Sequence, residues 1–403
     1  MTTNCFFCSK RLNCPIHSKE NFFKNKELSS IKELSSASPP TVFVGSQLKY
    51  PQVNIGVLSP VQDTKQNWIY DAQNYWAQNN YTISDIVELR SQLLNSRTQT
   101  SVKDINQNKF ISTFQEIAMS VTPVQIELEL KQKINFQLKF DKISLPQGPV
   151  APLQKIKVTQ NPNIPKKIEK VFFDTDLKAL EALEYLYKSG FNEKIISQLL
   201  TVGVLGQKRN RKLVPTRFSI TATDDILSKH LLQEIKQYKE IQQYQVYFGS
   251  YLGNYYIIIL TPDIFSYELF ETYLSDSRYK APEFLTDYES YFGRKTYATN
   301  TVGGYYATRL AILEKLKELK RQSSALVLRF ITLEYTTPLG VFVVRQAARK
   351  SLKSKIQSFN SLEDTLNYIK LFTKTMFKYD IEIILKNSKL LKNKEQINLK
   401  KFF

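Results

Sequence analysis

Histidine is almost absent from this chain, with two residues in 403. Cysteine is nearly as scarce: all three lie in the first fourteen residues, and the remaining 389 positions hold no thiol. That distribution excludes a disulfide-stapled scaffold and removes any cysteine nucleophile from the body of the protein. His230 is the one histidine outside the amino terminus, so a histidine nucleophile system or a histidine-rich hydrolase centre has poor support. No window approaches 18 uninterrupted apolar residues, which predicts no transmembrane helix. Met1-Thr-Thr-Asn-Cys5 lacks the apolar core of a signal peptide. The expectation is an intracellular, cytoplasmic protein with no membrane partner.

What the chain does contain is apolar and basic. An apolar content of 42% with 12% aromatics excludes a mostly disordered protein, and the length allows one large domain or two ordinary ones. Lysine and arginine number 56 against 37 acids, a net charge of +19. The simplest partner for such a chain is a polyanion, because neutralising phosphates releases their counterions. Nucleic acid is therefore the expected ligand of the body. From Arg349 onward there are 13 basic and 5 acidic residues, so the excess grows toward the end.

Taken in order, the chain opens with Cys5-x-x-Cys8 and then Cys14-Pro-Ile-His17. A C-x₂-C knuckle aims two thiolates at one ion, and Cys14 with His17 would complete a tetrahedral zinc site over residues 1–17. Residues 18–40 read as a linker, with Lys26-Glu-Leu-Ser-Ser repeated from Lys32 and a stop at Pro39-Pro40. The body is read as an amino-terminal part, 41–150, and a carboxyl-terminal part, 151–387, divided where Pro146, Gly148, Pro149 and Pro152 break the chain. Alternation in Ile126-Glu-Leu-Glu-Leu130 predicts a strand, and residues 83–94 predict a helix capped by Ser84. A helix is predicted from Asp176 to Ser189, ended by Gly190, and a hairpin over 244–260 turning near Leu252-Gly253-Asn254. Strands are further expected at Leu213 to Ala222, Val341 to Val344 and 379–385. Helices and strands alternate without βαβ regularity, so the class is α+β: a mixed α/β body with antiparallel sheet elements, a flexible amino-terminal segment and a tail at 388–403.

Three constellations carry candidate chemistry. Gly303-Gly304 before a helix, with Arg294, Lys295 and Thr301 nearby, could cradle a phosphate on exposed backbone N–H groups; a tight turn into a buried helix needs the same glycines. Thr223-Asp224-Asp225, with Arg217 on the preceding segment, could serve a metal or general acid–base chemistry; a capped helix start has the same composition. Lys208-Arg209-Asn-Arg211-Lys212 is the densest short basic patch, either a nucleic-acid backbone contact or a solvated loop.

The last eight residues, Gln396-Ile-Asn-Leu399-Lys-Lys-Phe402-Phe403, form an apolar plug of the kind that fills a shallow pocket. Their pattern resembles the PIP box by which repair proteins hold the PCNA sliding clamp. The body also resembles one family. Pro39-Pro-x-x-Phe43-Val-Gly45, Tyr50-Pro-x-Val-Asn54-x-Gly56, Gln115-Glu-x-Ala-x-Ser120, Leu213-Val-Pro-Thr-Arg217-x-Ser-Ile-Thr-Ala-x-Asp-Asp225, Gly293-Arg-Lys-x-Tyr-Ala298, Gly303-Gly-Tyr-Tyr-Ala-x-Arg-Leu-Ala311 and Glu334-Tyr-x-x-Pro-Leu-Gly-Val341 are similar to the archaeal Nre DNA repair family. The resemblance implies a DNA repair protein that binds PCNA through its carboxyl terminus, with DNA and other repair proteins as partners and a nucleoid-associated location. The family's zinc segment carries four cysteines, the last in Cys-Pro-Ile, which Cys14-Pro-Ile matches. The intervening Leu-Cys-Gly is missing here, so either His17 replaces the lost ligand or the site is weakened. The resemblance brings no catalytic assignment to named residues, and whether the chain is an enzyme stays open. The leading expectation is a clamp-tethered repair factor whose body holds damaged or single-stranded DNA. The rival is a phosphoesterase or nucleotide-acting hydrolase using Asp224, Asp225, Arg217 and the Gly303-Gly304 region.

Overall fold

Two six-stranded sheets organise the computed structural model, which describes residues 31–106, 108–132, 134, 145–146, 148–274 and 284–399. They belong to two units. The first runs to Leu227 and includes Thr337–Gly340; the second holds Ser228–Thr336 and the chain from Val341.

The first sheet contains β1 (Glu33–Ser38), β2 (Val42–Val44), β3 (Gln52–Pro60), β4 (Leu93–Ser101), β5 (Val124–Leu130) and β6 (Val150–Val158), in the order β1-β5-β6-β4-β3-β2. Only β4 and β6 run parallel. Its two edge strands, β1 and β2, are consecutive in the chain and joined by Pro39, Pro40 and Thr41 alone. Four Cα steps span at most about 14 Å, whereas the edges of six flat strands lie about 24 Å apart. The sheet must therefore curl strongly, and its interior is lined by Ile55, Val57, Ile126 and Leu128. In β5 Val124, Ile126, Leu128 and Leu130 are buried while Gln125, Glu127 and Glu129 face outward, the expected period of two.

The expected linker and the expected internal boundary differ here. Glu33–Ser38, read as part of the tether, is edge strand β1, paired with β5. The stretch at 146–152 feeds β6 of the same sheet, and the passage between units falls inside the later helix Thr216–Ile235. The helix expected at 83–94 is Ile83–Ser91, and its cap is Thr82 rather than Ser84. Thr82 Oγ1 accepts from the Asp85 amide (3.2 Å) and Asp85 accepts from the Thr82 amide (2.8 Å), a capping box.

The second sheet contains β7 (Tyr244–Tyr251), β8 (Asn254–Thr261), β9 (Tyr267–Tyr273), β10 (Leu285–Glu289), β11 (Ser324–Ile331) and β12 (Gln357–Phe359), in the order β10-β9-β11-β8-β7-β12. The predicted hairpin joins β7 to β8, with Leu252 (φ 49°) and Gly253 (φ 72°) both left-handed. A Cβ on Gly253 would lie 2.5 Å from the Tyr335 nitrogen, so only glycine fits. Tyr255-Tyr-Ile-Ile-Ile-Leu260 reads as one apolar run because both sheet faces are covered. Ile257, Ile259, Phe270, Leu326, Leu328 and Phe330 pack under Ile369, Ile384, Leu390 and Leu391 from the carboxyl-terminal helices. On the opposite face Tyr256 bonds the Thr308 hydroxyl at 3.1 Å, where the helices Val302–Leu319 and Val341–Leu352 lie.

The class is mixed α/β, as expected, but three expected strands are helices. Leu213 to Ala222 lies mostly in Thr216–Ile235, Val341 to Val344 opens Val341–Leu352, and 379–385 lies largely in Glu382–Asn387. Short apolar, β-branched runs read the same whether they are buried strands or buried helices.

Candidate functional site

The first unit carries an exposed basic face built by one arginine. The helix Lys166–Phe173 buries only Ile168 and Val171. Lys166, Lys170 and Phe173 follow the i, i+4, i+7 spacing of one helix face and are exposed, as is Lys167, with Phe173 at 73%. At the helix end the Arg211 guanidinium donates to four carbonyls: Gly206 (2.7 Å), Phe172 (2.8 Å), Val171 (3.2 Å) and Asp174 (2.8 Å). A helix C-terminus leaves such carbonyls without partners, and a cation there also meets the negative end of the dipole. Burial lowers the Arg211 pKa, with Asp174 opposing. The Lys208 amide adds a bond to Thr175 O at 2.8 Å. Of the four cations predicted to bind DNA in this loop, Arg211 is thus engaged internally, while Lys208, Arg209 and Lys212 point into solvent beside the lysine helix. Six exposed cations and one aromatic ring therefore face solvent, with Glu169, Asp174 and Asp176 as the nearby acids. Lys166, Lys167, Lys170 and Phe173 escaped the sequence reading because only the fold brings 166–173 to 208–212.

Asp224 and Asp225 stand in mid-helix, not at a helix start. Thr216–Ile235 begins after Pro215, whose carbonyl accepts from Phe218 (2.8 Å) and Ser219 (3.0 Å). Ser219, Thr223 and Leu227 recur every fourth residue and are buried, so the β-branched run packs as a helix face. Both aspartates are buried, and Arg217 lies two turns before Asp224 on the same side. Arg217 Nε and Thr223 Oγ1 are buried without a hydrogen-bond partner. Among the described residues no group of three or more His, Cys, Asp or Glu side chains could hold a metal ion.

In the second unit, Gly303-Gly304 starts the helix Val302–Leu319 against the protein's own carboxylates. Asp287 Oδ2 accepts from the Asn300 amide (2.9 Å), the Thr301 amide (2.7 Å) and Thr301 Oγ1 (3.0 Å), the place a phosphate would take at a helix N-terminus. Arg294 completes this pair, Nη1 to Asp287 Oδ1 at 3.0 Å. Gly304 lies so close to Glu271 that a Cβ would sit 2.0 Å from Oε1. Arg329 Nη1 bonds that same Oε1, and its Nε reaches Asn254 Oδ1 at 3.1 Å. Burial opposes the Arg329 charge, but Glu271 and the surrounding tyrosines more than offset it and the pKa rises. Arg309 pairs with Glu289 at 2.7 Å, and burial followed by the Glu289 charge drives the Tyr305 hydroxyl far up. Arg294, Thr301, Gly303 and Gly304 are thus gathered around Asp287 and Glu271, and Lys295 alone of the five stays exposed.

The terminal motif begins within a docked helix. Lys389–Leu399 is capped by the buried Glu268 carboxylate, which accepts from Ser388 Oγ (2.6 Å) and from the Lys389 and Leu390 amides (both 3.0 Å). Gln396 and Leu399 belong to this helix; Phe402 and Phe403 lie outside the described residues. Cys5, Cys8, Cys14 and His17 also lie outside them.

Comparison with known proteins covers nearly the whole chain. The family model described as Archaeal Nre, N-terminal matches residues 7–280, and Archaeal Nre, C-terminal matches 289–402. DNA repair protein NreA of Archaeoglobus fulgidus is 35% identical over 375 residues, 91% of this chain and 93% of that protein. DNA repair protein NreB of the same organism is 36% identical over 368 residues, 90% of each chain. DNA repair protein NreA of Haloferax volcanii is 33% identical over 336 residues, 81% of this chain and 80% of its own. No solved structure matches.

Proposed function

Because the chain belongs to the archaeal Nre family, we propose that it is a DNA repair factor, carried to its substrate by the PCNA clamp and holding DNA on its basic body. The observation that carries this reading is the near-full-length similarity, in both halves, to relatives named DNA repair proteins. The clamp contact is assigned to Gln396, Leu399, Phe402 and Phe403. The helix Lys389–Leu399, whose start is capped by Glu268, carries Gln396 and Leu399 of this set. DNA contact is assigned to the exposed Lys166, Lys167, Lys170, Lys208, Arg209 and Lys212. Zinc is assigned to Cys5, Cys8, Cys14 and His17.

Calorimetry with PCNA tests the recruitment. The double variant Phe402→Ala, Phe403→Ala should lose clamp binding while unfolding at the wild-type denaturant midpoint, because both rings follow the last described helix. Unchanged clamp affinity overturns the assignment.

A hydrolase reading has one observation in its favour: unpartnered buried polar atoms of Arg217 and Thr223 in the helix that buries Asp224 and Asp225. Incubating the protein with nucleotides and phosphomonoesters in the presence of Mg²⁺ or Mn²⁺ tests it. Turnover abolished by Asp225→Asn would establish this reading, and absence of turnover removes it.

A further inference from the structure

Between β10 and the helix Val302–Leu319 the chain makes a tight turn that shows aromatic rings to solvent. Ser290 and Gly293 form an isolated bridge, the Gly293 amide donating to Ser290 O at 2.8 Å with Gly293 at φ 79°. At the tip Phe292 is 91% exposed, and Tyr297 on the returning limb is 54% exposed. The Phe292 ring meets the Tyr291 ring edge-on and is otherwise left largely in solvent, on a braced loop. Arg294 donates to the carbonyls of Tyr288 (3.0 Å), Thr296 (3.2 Å) and Tyr297 (3.3 Å), tying both limbs together. Lys236 Nζ donates to Tyr291 O at 2.6 Å and sits 4.3 Å from the centre of the Tyr291 ring. The Ala298 amide donates to the Tyr306 hydroxyl at 2.9 Å, fixing the far end.

The charge within this loop has one sign. Residues 290–300 contain Tyr291, Phe292, Arg294, Lys295 and Tyr297 and no acid. The acids that flank the loop, Asp287 and Glu289, are buried and paired with Arg294 and Arg309. Rings interleaved with cations suit a strand whose bases are unstacked: each base has a π-face, and the backbone between bases is anionic. Paired duplex offers only its phosphates here, because its base faces are already covered by their neighbours.

We propose that the turn at Ser290–Gly293 is a base-stacking element for single-stranded DNA, Phe292 and Tyr297 taking unpaired bases and Lys295 the adjoining phosphate. The proposal rests on the DNA-binding reading above and specifies the form of DNA.

The test is fluorescence anisotropy of the full chain with labelled oligothymidylate and with a duplex of equal length. Phe292→Ala should weaken single-strand binding by about tenfold, as loss of one stacked base does. Phe292→Trp should restore it, and duplex affinity should hold. Lys295→Gln should lower the slope of log affinity against log salt by about 0.7, the share of one phosphate on a single strand. The ring lies outside the core, so the unfolding midpoint of Phe292→Ala should match wild type. Equal single-strand affinity in Phe292→Ala and wild type overturns the proposal, as does an equal loss on both DNA forms. If the wild-type chain binds neither DNA, the DNA-binding reading itself fails and this element with it.

Discussion

Arg211 separates a structural from a DNA-contacting role, because composition alone places it in a basic DNA-binding loop. Its guanidinium donates to four carbonyls, of Val171, Phe172, Asp174 and Gly206. A hydrogen bond to a charged group contributes about 1.5–3 kcal/mol. Four of them do not add, since carbonyls near the surface regain water when the side chain is removed. Contact of the guanidinium with the Phe172 ring, 5.5 Å away, is lost as well. Arg211→Ala should therefore cost about 2–4 kcal/mol, read as a lowered urea midpoint with the unfolding slope unchanged. Arg211→Lys should recover little, because one ammonium cannot reach carbonyls from both the helix and the 206 turn. In the same preparation, replacing Lys208, Arg209 and Lys212 by Gln should leave the midpoint within about 0.5 kcal/mol while DNA affinity falls and its salt dependence lessens. An Arg211→Ala protein with wild-type stability and reduced DNA affinity would refute this reasoning.

Three further outcomes follow from the second unit. Gly304→Ala should destabilise by about 2–4 kcal/mol in urea unfolding, since its Cβ would meet Glu271 Oε1 at 2.0 Å and disturb the Arg329 pair. Arg329→Met should cost about 3–5 kcal/mol by the same measurement, because it leaves the Glu271 carboxylate buried without its cation. Burial, only partly offset by Ser388 and the Leu390 and Lys389 amides, raises the Glu268 pKa above its ordinary 4.5. Its contribution is therefore full below that value and declines as pH rises through the higher folded value. Glu268→Gln lacks this decline, so its stability should gain on wild type as unfolding is repeated from pH 4 upward; a constant difference would refute the linkage.

Elements specified by local chemistry were legible in the sequence. The alternation in β5 and the left-handed turn at Leu252-Gly253 each depend on a few neighbouring residues. The three expected strands that are helices fail for a shared reason. Val341-Phe-Val-Val344 is apolar on every side because it is buried on every side, and that erases the periodicity that would identify it. Of the candidate sites, the cation-rich loops were visible and their partners were not. Asp287 flanks the loop of Arg294, but its pairing with that arginine is set by the fold, and nothing near Gly304 in sequence announces Glu271, which arrives on β9.

The structure assigns different tasks to the two kinds of cation. Arg90, Arg211, Arg294, Arg309 and Arg329 are turned inward onto carboxylates or backbone carbonyls, where a planar fork that stays ionised is worth most. Lys166, Lys167, Lys170, Lys208, Lys212 and Lys295 remain in solvent, and Arg209 stays with them. The outward excess of charge is therefore mainly lysine, which meets phosphate as a point charge and reads no base edge in the bidentate manner of arginine. A surface of this kind binds any DNA sequence and weakens steeply with salt. Discrimination would then have to come from elsewhere, and under the stacking proposal it comes in a manner indifferent to sequence but sensitive to pairing: the exposed Phe292 and Tyr297 would take bases that have lost their neighbours. A repair factor built this way would recognise a disruption of the duplex rather than a site, and the proposed clamp contact through Gln396, Leu399, Phe402 and Phe403 would supply its position along the DNA.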